Sequence, residues 1–399
     1  MAGPLAGIRV LDVSTIFMGP FACQIMGDLG ADVIKVEAPG GDSVRNVGPA
    51  RHRDMAGMFL NANRSKRALL LDMSKPEGQE ALGRLAKNAD ILVHNIRPKP
   101  AAKLGLTHER LSAINPALIF CTAVGYGSDG PYRDRAAYDD LIQGASGVAD
   151  LIARHQGGTP DYVPMAMADK VSGLVVLSSV LAALFHRQRT GEGQAIEVPM
   201  FETISAFSII DHLNGLAFEP PMGRSGYARQ LSPYRHPFKT EDGYVCALPF
   251  SDRNWRDYFA IAGRPEFADD PRFADVASRT KNTADLYQLL EELMLTKTTA
   301  EWLDALNAAD IPCGPVNSLD DLLDDPHIKQ VGLFQLHDHP TEGQLRFVRL
   351  PMKFSKTPPE ITRMPPNIGE HSADILAEAG YTKEEIAALF EAGVTGSPD

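Results

Sequence analysis

Residues 8–37, IRVLDVSTIFMGPFACQIMGDLGADVIKVE, carry the clearest structural signal in the chain. The two apolar runs at 8–14 and 31–37 predict strands, and residues 21–30 between them predict a helix. Strands that are apolar along their whole length are buried on both faces, as in a parallel sheet that helices cover on each side. This segment therefore indicates the opening of an α/β domain.

The same alternation continues to about residue 200. Further strands are predicted at 67–73, 90–96, 116–127 and 193–200, and the helices between and after them at 76–89, 170–189 and 201–217. We therefore predict an α/β fold with a doubly wound parallel sheet, in which ligands bind beyond the carboxyl ends of the strands.

The pattern of predicted strands and helices changes after residue 222. Two short strands around an Asp-Gly turn are predicted within 235–250, followed by helices at 252–262, 283–296 and 299–308. A hairpin within 333–350 and two helices, at 372–380 and 382–392, close the chain. We predict three segments: a large domain at 1–222, a smaller α+β domain at 223–325, and residues 326–399, which return to the large domain.

The charge of the chain excludes one class of partner. It has 399 residues, a formal net charge of −12 and no Lys/Arg-rich run, so we expect no nucleic-acid partner. An acidic protein can still bind an anionic ligand where cations are concentrated locally. Two clusters fit that need: Arg64, Lys66 and Arg67, then Arg97, Lys99 and Lys103.

The sequence also predicts a cytoplasmic location. The N-terminal residues MAGPLAGIRVLDVS lack the basic and apolar regions of a signal peptide. The apolar segment 171–185 is shorter than the ~20 residues of a membrane span, so a buried helix and no membrane partner are predicted. The four cysteines form no CxxC pair and are predicted to be buried thiols in a reducing cytosol; they are Cys23, Cys121, Cys246 and Cys313.

Two candidate sites are weak. Glu37 ends the second strand of a βαβ unit, as in dinucleotide-binding proteins, but the loop STIFMGP (14–20) has one glycine and lacks the G-x-G-x-x-G spacing. His337 and His339 flank Asp338 in a polar segment that favours a solvated loop over a metal site. We therefore predict neither a nicotinamide cofactor nor a metal.

Asp169 is the strongest candidate for chemistry. It lies in PMAMADKVSGLVVLSSVLAALFHRQRTG (164–191), directly before a long apolar helix. Local physics alone favours a helix N-cap. The same position would also keep a carboxylate ionised, because the helix dipole and free N–H groups stabilise it, and an ionised carboxylate in an apolar cleft can attack an acyl group. The local sequence leaves both interpretations open.

The whole chain resembles the class III CoA-transferases, which include the formyl-CoA:oxalate and carnitine CoA-transferases. The resemblance rests on many blocks in order: LAGIRVLDVSTIFMGPFACQIMGDLGADVIKVEAPGGD (5–42), NRSKRALLLDMSKPEG (63–78), ADILVHNIRP (89–98), NPALIFCTAVGYGSDGPY (115–132), AYDDLIQGASG (137–147), MADKVSGL (167–174), ALFHRQRTGEGQAIEVPM (183–200), DPRF (270–273), IPCGPV (311–316), LPMKFS (350–355) and IGEHS (368–372).

The resemblance implies the fold, the assembly and the nucleophile. It implies a Rossmann-like large domain built from both chain ends, a small domain, and a homodimer whose subunits interlock as rings. Asp169 occupies the nucleophile position of the family's A-D-K/S block. Coenzyme A would be a substrate that lies across the large domain and reaches an active site between domains, and no permanently bound cofactor is implied.

The CoA contacts implied by the resemblance fall into four groups. They are Thr15 and Ile16; Asp72, Met73, Ser74 and Lys75 beside the nucleotide; Asn95, Ile96, Arg97 and Lys103 beside the pyrophosphate or pantetheine; and Ala137, Tyr138, Asp139 and Asp140 at the thiol end.

Some residues depart from the family pattern. Ala38 stands where many members have Arg, which removes one expected contact to the nucleotide, and Lys103 replaces an Arg, which keeps the charge and loses bidentate geometry. The Gly-rich loop of the oxalate-specific enzymes is absent from 235–250. Oxalate is therefore not the expected acceptor.

The implied reaction moves CoA from a donor such as succinyl-CoA to a carboxylic acid through an aspartyl-CoA thioester. One alternative is an α-methylacyl-CoA racemase of the same superfamily, which needs an acid/base pair. Racemases carry His in the block that matches AAYDDL, and here Tyr138, with an ordinary pKa of ~10, takes that place. The other alternative is a CoA-binding protein without catalysis, which would not require Asp169.

Overall fold

The computed structural model describes residues 3–397, and the chain divides into two compact units. The sheet unit comprises the residues up to Ser146, Val163–Phe207, and the residues from Gln330 onward. The small unit comprises Gly147–Tyr162 and Ser208–Lys329. Compared with the predicted domain ranges, residues 147–162, 208–222 and 326–329 group with the small unit.

The secondary structure alternates strands and helices over the first two hundred residues. Between residues 3 and 397 the strands are β1 (Arg9–Val13), β2 (Asp32–Glu37), β3 (Lys66–Leu70), β4 (Ile91–His94), β5 (Ile119–Val124), β6 (Ala195–Pro199), β7 (Phe238–Lys239), β8 (Tyr244–Ala247), β9 (Cys313–Pro315), β10 (Phe334–His339) and β11 (Gly343–Val348). The α-helices of the same part of the chain are α1 (Met18–Asp28), α2 (Gly57–Ala62), α3 (Pro76–Lys87), α4 (Pro98–Lys103), α5 (His108–Ile114), α6 (Asp139–Ala145), α7 (Val148–Gln156), α8 (Met167–Thr190), α9 (Met200–Ile209), α10 (Asp252–Ile261), α11 (Val276–Lys281), α12 (Thr283–Met294), α13 (Thr299–Ala308), α14 (Pro326–Val331), α15 (Ser372–Glu378) and α16 (Lys383–Glu391).

The six strands predicted before residue 200 form one parallel sheet in the order β3-β2-β1-β4-β5-β6. The register places Leu11 of β1 between Ile34 of β2 and Leu92 of β4. The chain runs outward in one direction from β1 to β3 and in the other from β4 to β6. The strand order therefore reverses between β1 and β4, which is where an open α/β sheet has its ligand crevice. The predicted parallel α/β sheet is confirmed.

Helices cover the sheet, so its strands are buried on both faces. One core joins Leu11 and Ile34 to Leu82 of α3, Ile375 of α15 and Leu389 of α16. The last two helices thus pack in the same unit as the first strand, although more than three hundred residues of sequence separate them.

Helix α8 is longer than the predicted apolar segment. It has 24 residues with a mean hydropathy of 1.7, and it is the one helix within residues 3–397 whose length and composition would suffice to cross a membrane. Core helices of soluble proteins pass the same criterion. Here α8 packs against α1 and buries Val176, Val180 and Leu184.

Buried ion pairs fix the loops at the carboxyl edge of the sheet. Lys35 Nζ lies 2.9 Å from a carboxylate oxygen of Asp42 and donates a second hydrogen bond to the carbonyl of Ser14 at 2.9 Å. Glu37 pairs with Arg45 at 2.7 Å, and both side chains are buried. Glu37 therefore holds a neighbouring loop, which accounts for an acidic residue at the end of β2.

The hairpin β10–β11 was predicted from the sequence, but the surroundings of its histidines were not. His339 is buried: its Nε2 lies 2.8 Å from the carbonyl of Pro365, and its Nδ1 accepts N–H bonds from Thr341 and Glu342. The expectation of a solvated loop at His339 is wrong. The ring instead serves as a buried hydrogen-bonding centre for the turn of the hairpin.

The small unit has its own sheet and core. β8 pairs antiparallel with β7 and with β9, and the pairing with β9 was not predicted from the sequence. Helices α10, α12 and α13 supply the apolar side chains of the core, including Tyr258, Leu290 and Trp302. Trp302 is fully buried, and its indole N–H donates to the carbonyl of Met294 at 2.8 Å.

Candidate active site

The loops after β1 and β4 meet where the strand order of the sheet reverses. The backbone N–H of Thr15 donates to Asn95 Oδ1 at 3.0 Å, and Asn95 Nδ2 donates to the carbonyl of Thr15 at 2.8 Å. The next residue, Ile16, has a φ of +71° and donates its N–H to the carboxylate of Asp42 at 3.1 Å. Three of the predicted CoA contacts, Thr15, Ile16 and Asn95, are therefore brought together in one fixed loop region.

Asp169 lies in the first turn of α8. The helix begins at Met167 and its N-cap residue is Ala166, so the interpretation of Asp169 as an N-cap is wrong. The backbone N–H of Asp169 is one of those that a helix leaves without an internal acceptor, and it donates to Asp139 Oδ2 at 2.8 Å. A carboxylate from another helix thus takes the capping role.

Asp139 is the first residue of α6 and connects several segments. Its other carboxylate oxygen accepts a hydrogen bond from Gln143 Nε2 at 2.6 Å, and Gln143 Oε1 accepts the N–H of Val163 at 2.9 Å. Gln143 is fully buried. This chain of hydrogen bonds fixes the segment that leads into α8, and with it the position of Asp169.

The surroundings of Asp169 change its acidity. Burial, and then the negative charge of Asp139, raise the pKa of Asp169 from 3.8 to about 6, while a hydrogen bond from the backbone of Met18 acts in the opposite direction. Met18 is the first residue of α1, so the carboxylate lies at the N-terminal ends of both α1 and α8. A group with this pKa is about 90% ionised at pH 7.

The geometry suits a nucleophile better than a structural acid. The positive ends of two helices stabilise the ionised carboxylate, and burial keeps much of the surrounding water away from it. A carboxylate that is more basic than usual and still ionised at neutral pH can attack an activated acyl group.

Two glycines allow close approaches here, Gly173 between α8 and α1, and Gly19 between α1 and the loop after β1. A Cβ on Gly173 of α8 would lie 2.8 Å from the carbonyl oxygen of Met18, and a Cβ on Gly19 would lie 2.3 Å from Ser14 Oγ. Sequence reasoning missed Met18 as a neighbour of Asp169. The glycines in the MGP and SGL triplets at 18–20 and 172–174 are the sequence signal that could have indicated this neighbour.

The predicted nucleotide contacts after β3 form a compact turn. Ser74 donates its N–H and its hydroxyl to Asp72 Oδ1 at 3.0 and 2.5 Å. Lys75 Nζ donates to the carbonyls of Ala392 and Gly393, directly after α16, and Met73 is buried in the core beside β3. Ser74 is therefore the exposed residue of this turn, while its hydroxyl and the Lys75 ammonium already have partners within the fold.

The predicted contacts after β4 are more accessible. Arg97 is exposed and precedes α4, and its guanidinium lies 3.4 Å from the carbonyl of Asp134. Lys103, at the end of α4, is also exposed, while Ile96 donates its N–H to His94 Nδ1. Of the second basic cluster, Lys99 pairs with Asp134 at 3.0 Å, whereas Arg97 and Lys103 present exposed charges that can meet a phosphate.

The first basic cluster, in contrast, is internal. Lys66 pairs with Asp12 at 2.7 Å, Arg64 with Asp28 at 2.7 Å, and Arg67 with Asp32 and Glu378; all three cations are buried. The hypothesis that Arg64, Lys66 and Arg67 hold an anionic ligand is wrong. Neighbouring acidic residues of the fold neutralise them.

Residues 137–140 lead into α6. Ala137 lies against Gly125, where an added Cβ would come within 2.2 Å of the Ala137 Cβ. Tyr138 precedes the helix with 63% of its surface exposed, and Asp140 is exposed beside Asp139. The structure therefore brings Asp139 to Asp169 and leaves Tyr138 and Asp140 accessible.

Two other sequence-based expectations concern thiols and metals. Cys23 and Cys121 are buried, as predicted, whereas Cys246 is exposed and Cys313 is half-buried, so the prediction fails for those two. Residues 3–397 contain no cluster of three or more His, Cys, Asp or Glu side chains that could hold a metal ion.

The chain is similar to known proteins over nearly its whole length. The family model described as CoA-transferase family III matches residues 5–372. A succinate–glutarate CoA-transferase of Agrobacterium fabrum is 36% identical over 387 residues, which is 94% of this chain and 95% of the relative. The succinyl-CoA:glutarate CoA-transferase of Mus musculus is 33% identical over 98% of this chain and 90% of the relative.

Solved structures give the same result for the fold. A crystal structure of a CAIB/BAIF family protein from Brucella suis has a TM-score of 0.80 and 34% identity, and the match covers 95% of this chain and all of that one. By sequence and by fold, this chain is a member of CoA-transferase family III.

Proposed function

We propose that this CoA-transferase moves coenzyme A from succinyl-CoA to a short dicarboxylic acid through a thioester on Asp169. The observation that carries the proposal is the surroundings of Asp169: a carboxylate with a pKa of about 6 at the N-terminal ends of α1 and α8. Such a group is ionised in the cell and is more nucleophilic than an ordinary aspartate.

The proposed reaction has two symmetrical halves. An oxygen of Asp169 attacks the donor thioester carbonyl, and the carbon–sulfur bond breaks to give a mixed anhydride and CoA thiolate. The thiolate then attacks the aspartyl carbonyl of the anhydride and releases the donor acid. The acceptor carboxylate repeats these steps in reverse, so one thioester replaces another and the reaction needs no net energy source.

Other residues contribute by position and charge. Asp139 accepts the Asp169 N–H and fixes the backbone of the nucleophile. Arg97 and Lys103 are exposed cations near the carboxyl edge of the sheet, where they can meet the phosphates of CoA. The loop held by Thr15 and Asn95 would then flank the pantetheine arm.

The acids are proposed from chemistry and from relatives. Relatives of this chain are named as transferases of succinate and glutarate, and another, from Chloroflexus aurantiacus, as a succinyl-CoA–L-malate CoA-transferase subunit. These acids are all short dicarboxylates. We therefore propose succinyl-CoA as donor and a four- or five-carbon dicarboxylate such as glutarate as acceptor.

We also propose a cytoplasmic, interlocked homodimer that binds neither nucleic acid nor membrane. Large apolar side chains remain exposed in the sheet unit, among them Phe185 of α8 and Phe207 of α9, with exposed fractions of 63% and 56%. Exposed apolar groups of this size favour a partner surface. A folded monomer in sedimentation at low concentration would contradict the dimer.

Transfer is favoured over α-carbon racemisation. A racemase requires an acid and a base on opposite sides of the α-carbon, and Tyr138, at the position where racemases carry His, is an exposed phenol. The transferase should therefore exchange CoA between acids without washing α-hydrogen into solvent. Rapid deuterium uptake by a 2-methylacyl-CoA, without transfer to any acid, would reverse this choice.

The covalent intermediate gives the direct test. The protein is incubated with succinyl-CoA alone, and the peptide that contains Asp169 is analysed by mass spectrometry. It should gain the mass of CoA less water, and hydroxylamine should convert that thioester to a hydroxamate at the same residue. With glutarate added, glutaryl-CoA should form. A label on another carboxylate would contradict the mechanism.

A further inference from the structure

A pocket of about 540 Å³ lies wholly within the small unit. Its walls include Arg229, Arg235 and His236 together with Phe238, Leu248 and Tyr287. This volume is typical of sites for small organic molecules, which combine apolar walls with a few polar groups. None of the residues predicted from the sequence to contact CoA lies in this pocket.

The two arginines of the pocket differ from most others in the unit. Five other arginines of the small unit each pair with a carboxylate, namely Arg154 with Asp150, Arg253 with Asp257, Arg264 with Glu266, Arg272 with Asp270, and Arg279 with Asp252. Within residues 3–397, no carboxylate lies within 4.0 Å of the guanidinium of Arg229 or Arg235.

The polar groups that line the pocket beside Arg229 and Arg235 do not neutralise the positive charge of these two arginines. Partial burial acts to lower the pKa of Arg229, but the neighbouring phenol groups of Tyr287 and Tyr227 raise it above its ordinary value, so the guanidinium keeps its charge. His236 Nε2 lies 3.3 Å from Glu291 Oε1, so this carboxylate is directed to the histidine. Unpaired guanidinium groups beside an apolar wall match an anionic ligand, because their planar forks bind a carboxylate in a bidentate manner.

We propose that this pocket binds the short dicarboxylic acid substrate, an inference that rests on the proposed function for the identity of the acid. The arginines would bind the carboxylate that does not react, and Phe238 and Leu248 would contact the methylene chain that joins it to the reacting one. A pocket with cations and an apolar wall would discriminate against monocarboxylates, which lack a second charge, and against neutral amides.

Two cysteines line the pocket, and their reaction with a thiol reagent can report whether a ligand is bound there. Cys246 on β8 and Cys313 on β9 both line it, and β8 pairs with β9 so that Ala247 lies opposite Cys313. Cys246 is exposed and Cys313 is half-buried, whereas Cys23 and Cys121 are fully buried. A thiol reagent added to the folded protein should therefore react first at Cys246.

The experiment follows alkylation of the full-length protein by N-ethylmaleimide, with peptide mass spectrometry to assign the labelled cysteine. Glutarate at ten times its dissociation constant should slow labelling of Cys246 about tenfold, because only the free pocket reacts. Glutaramide, its neutral diamide, should give no protection at the same concentration. Desulfo-CoA, which lacks the thiol that would consume the maleimide, should give none either, since the proposal assigns this pocket to the acid and not to the nucleotide.

Two substitutions and a matched control complete the test. Arg235→Gln and, separately, Arg229→Gln should raise the glutarate concentration needed for protection about ten- to a hundredfold, the effect of losing one charge-assisted hydrogen-bonding partner. Arg235 is exposed, so its replacement should leave the fold intact. Arg224→Gln removes another exposed arginine of the small unit, outside the pocket, and should leave protection unchanged.

The outcomes separate this inference from the proposed function. If wild-type protein transfers CoA to glutarate but glutarate does not protect Cys246, or both pocket variants keep full protection, the pocket assignment is wrong while the function stands. Protection by desulfo-CoA in place of glutarate would also overturn it. If transfer is absent but glutarate protects and Arg235→Gln abolishes protection, the pocket is supported and the proposed reaction fails.

Discussion

Replacing Asp169 by Asn should abolish CoA transfer and, at the same time, raise the stability of the protein at pH 7. Burial and the neighbouring Asp139 raise the pKa of Asp169 from 3.8 to about 6, a difference of about two units. Each unit corresponds to ~1.4 kcal/mol, so the ionised carboxylate destabilises the folded state by about 3 kcal/mol at neutral pH. Asn has nearly the same volume, carries no charge and cannot form an anhydride.

The sign of this effect depends on pH. Because the pKa is higher in the folded than in the unfolded chain, the folded state binds more protons between about pH 4 and pH 6. The contribution of Asp169 to stability therefore falls as the pH rises through that window. Asn does not titrate there, so its advantage over Asp should be close to zero near pH 4 and should reach its full value near pH 7.

Urea denaturation of both proteins at the two pH values measures this difference, and a succinyl-CoA and glutarate assay measures transfer. Asp304→Asn is the matched control, because Asp304 is an exposed residue of α13; it should change the free energy of unfolding by less than ~0.5 kcal/mol and leave transfer intact. If Asp169→Asn retained turnover, or destabilised the protein equally at both pH values, the reasoning about this carboxylate would be refuted.

Three further predictions concern the same site and its supports. Below a pH of about 6, protonation of Asp169 should lower kcat/KM for succinyl-CoA about tenfold for each further pH unit, measured in buffers of constant ionic strength. Asp139→Asn retains an oxygen that can accept the Asp169 N–H but removes the nearby charge, so the acidic midpoint of that profile should move to lower pH; an unchanged midpoint would mean that burial alone sets it. Lys66→Met leaves Asp12 buried without its partner and should lower the free energy of unfolding by about 3 to 5 kcal/mol, whereas Lys99→Met, at an exposed ion pair, should cost less than ~1 kcal/mol; equal costs in urea denaturation would contradict the assignment.

The strands of the sheet were predictable because their signal is local. β1, β2 and β4 are buried on both faces, so each appears in the sequence as an unbroken apolar run that needs no knowledge of its neighbours. Helix ends were less predictable, since α8 begins before its apolar periodicity does. That difference of a few residues moved Asp169 from the predicted cap into the first turn.

Whether a charged residue is free to bind a ligand could not be predicted from the local sequence in the same way. Arg64, Lys66 and Arg67 look in the sequence like Arg97, Lys99 and Lys103, yet the first group is buried against acidic residues and the second is exposed. Charge is a property of the residue, whereas pairing depends on which carboxylates the fold brings within reach. Lys66 meets Asp12, which is 54 positions away, and Arg67 meets Glu378, which is 311 positions away.

The sequence by itself determined the parallel α/β sheet, the family resemblance and the choice of Asp169, because these depend on local periodicity and on blocks that can be read in order. Only the tertiary structure decided the acidity of Asp169. Its pKa results from burial, from Asp139 on α6 and from the backbone of Met18 on α1, and these groups are distant in sequence. Electrostatic energies depend on distance in space and on exclusion of water, and both are fixed only when the helices pack.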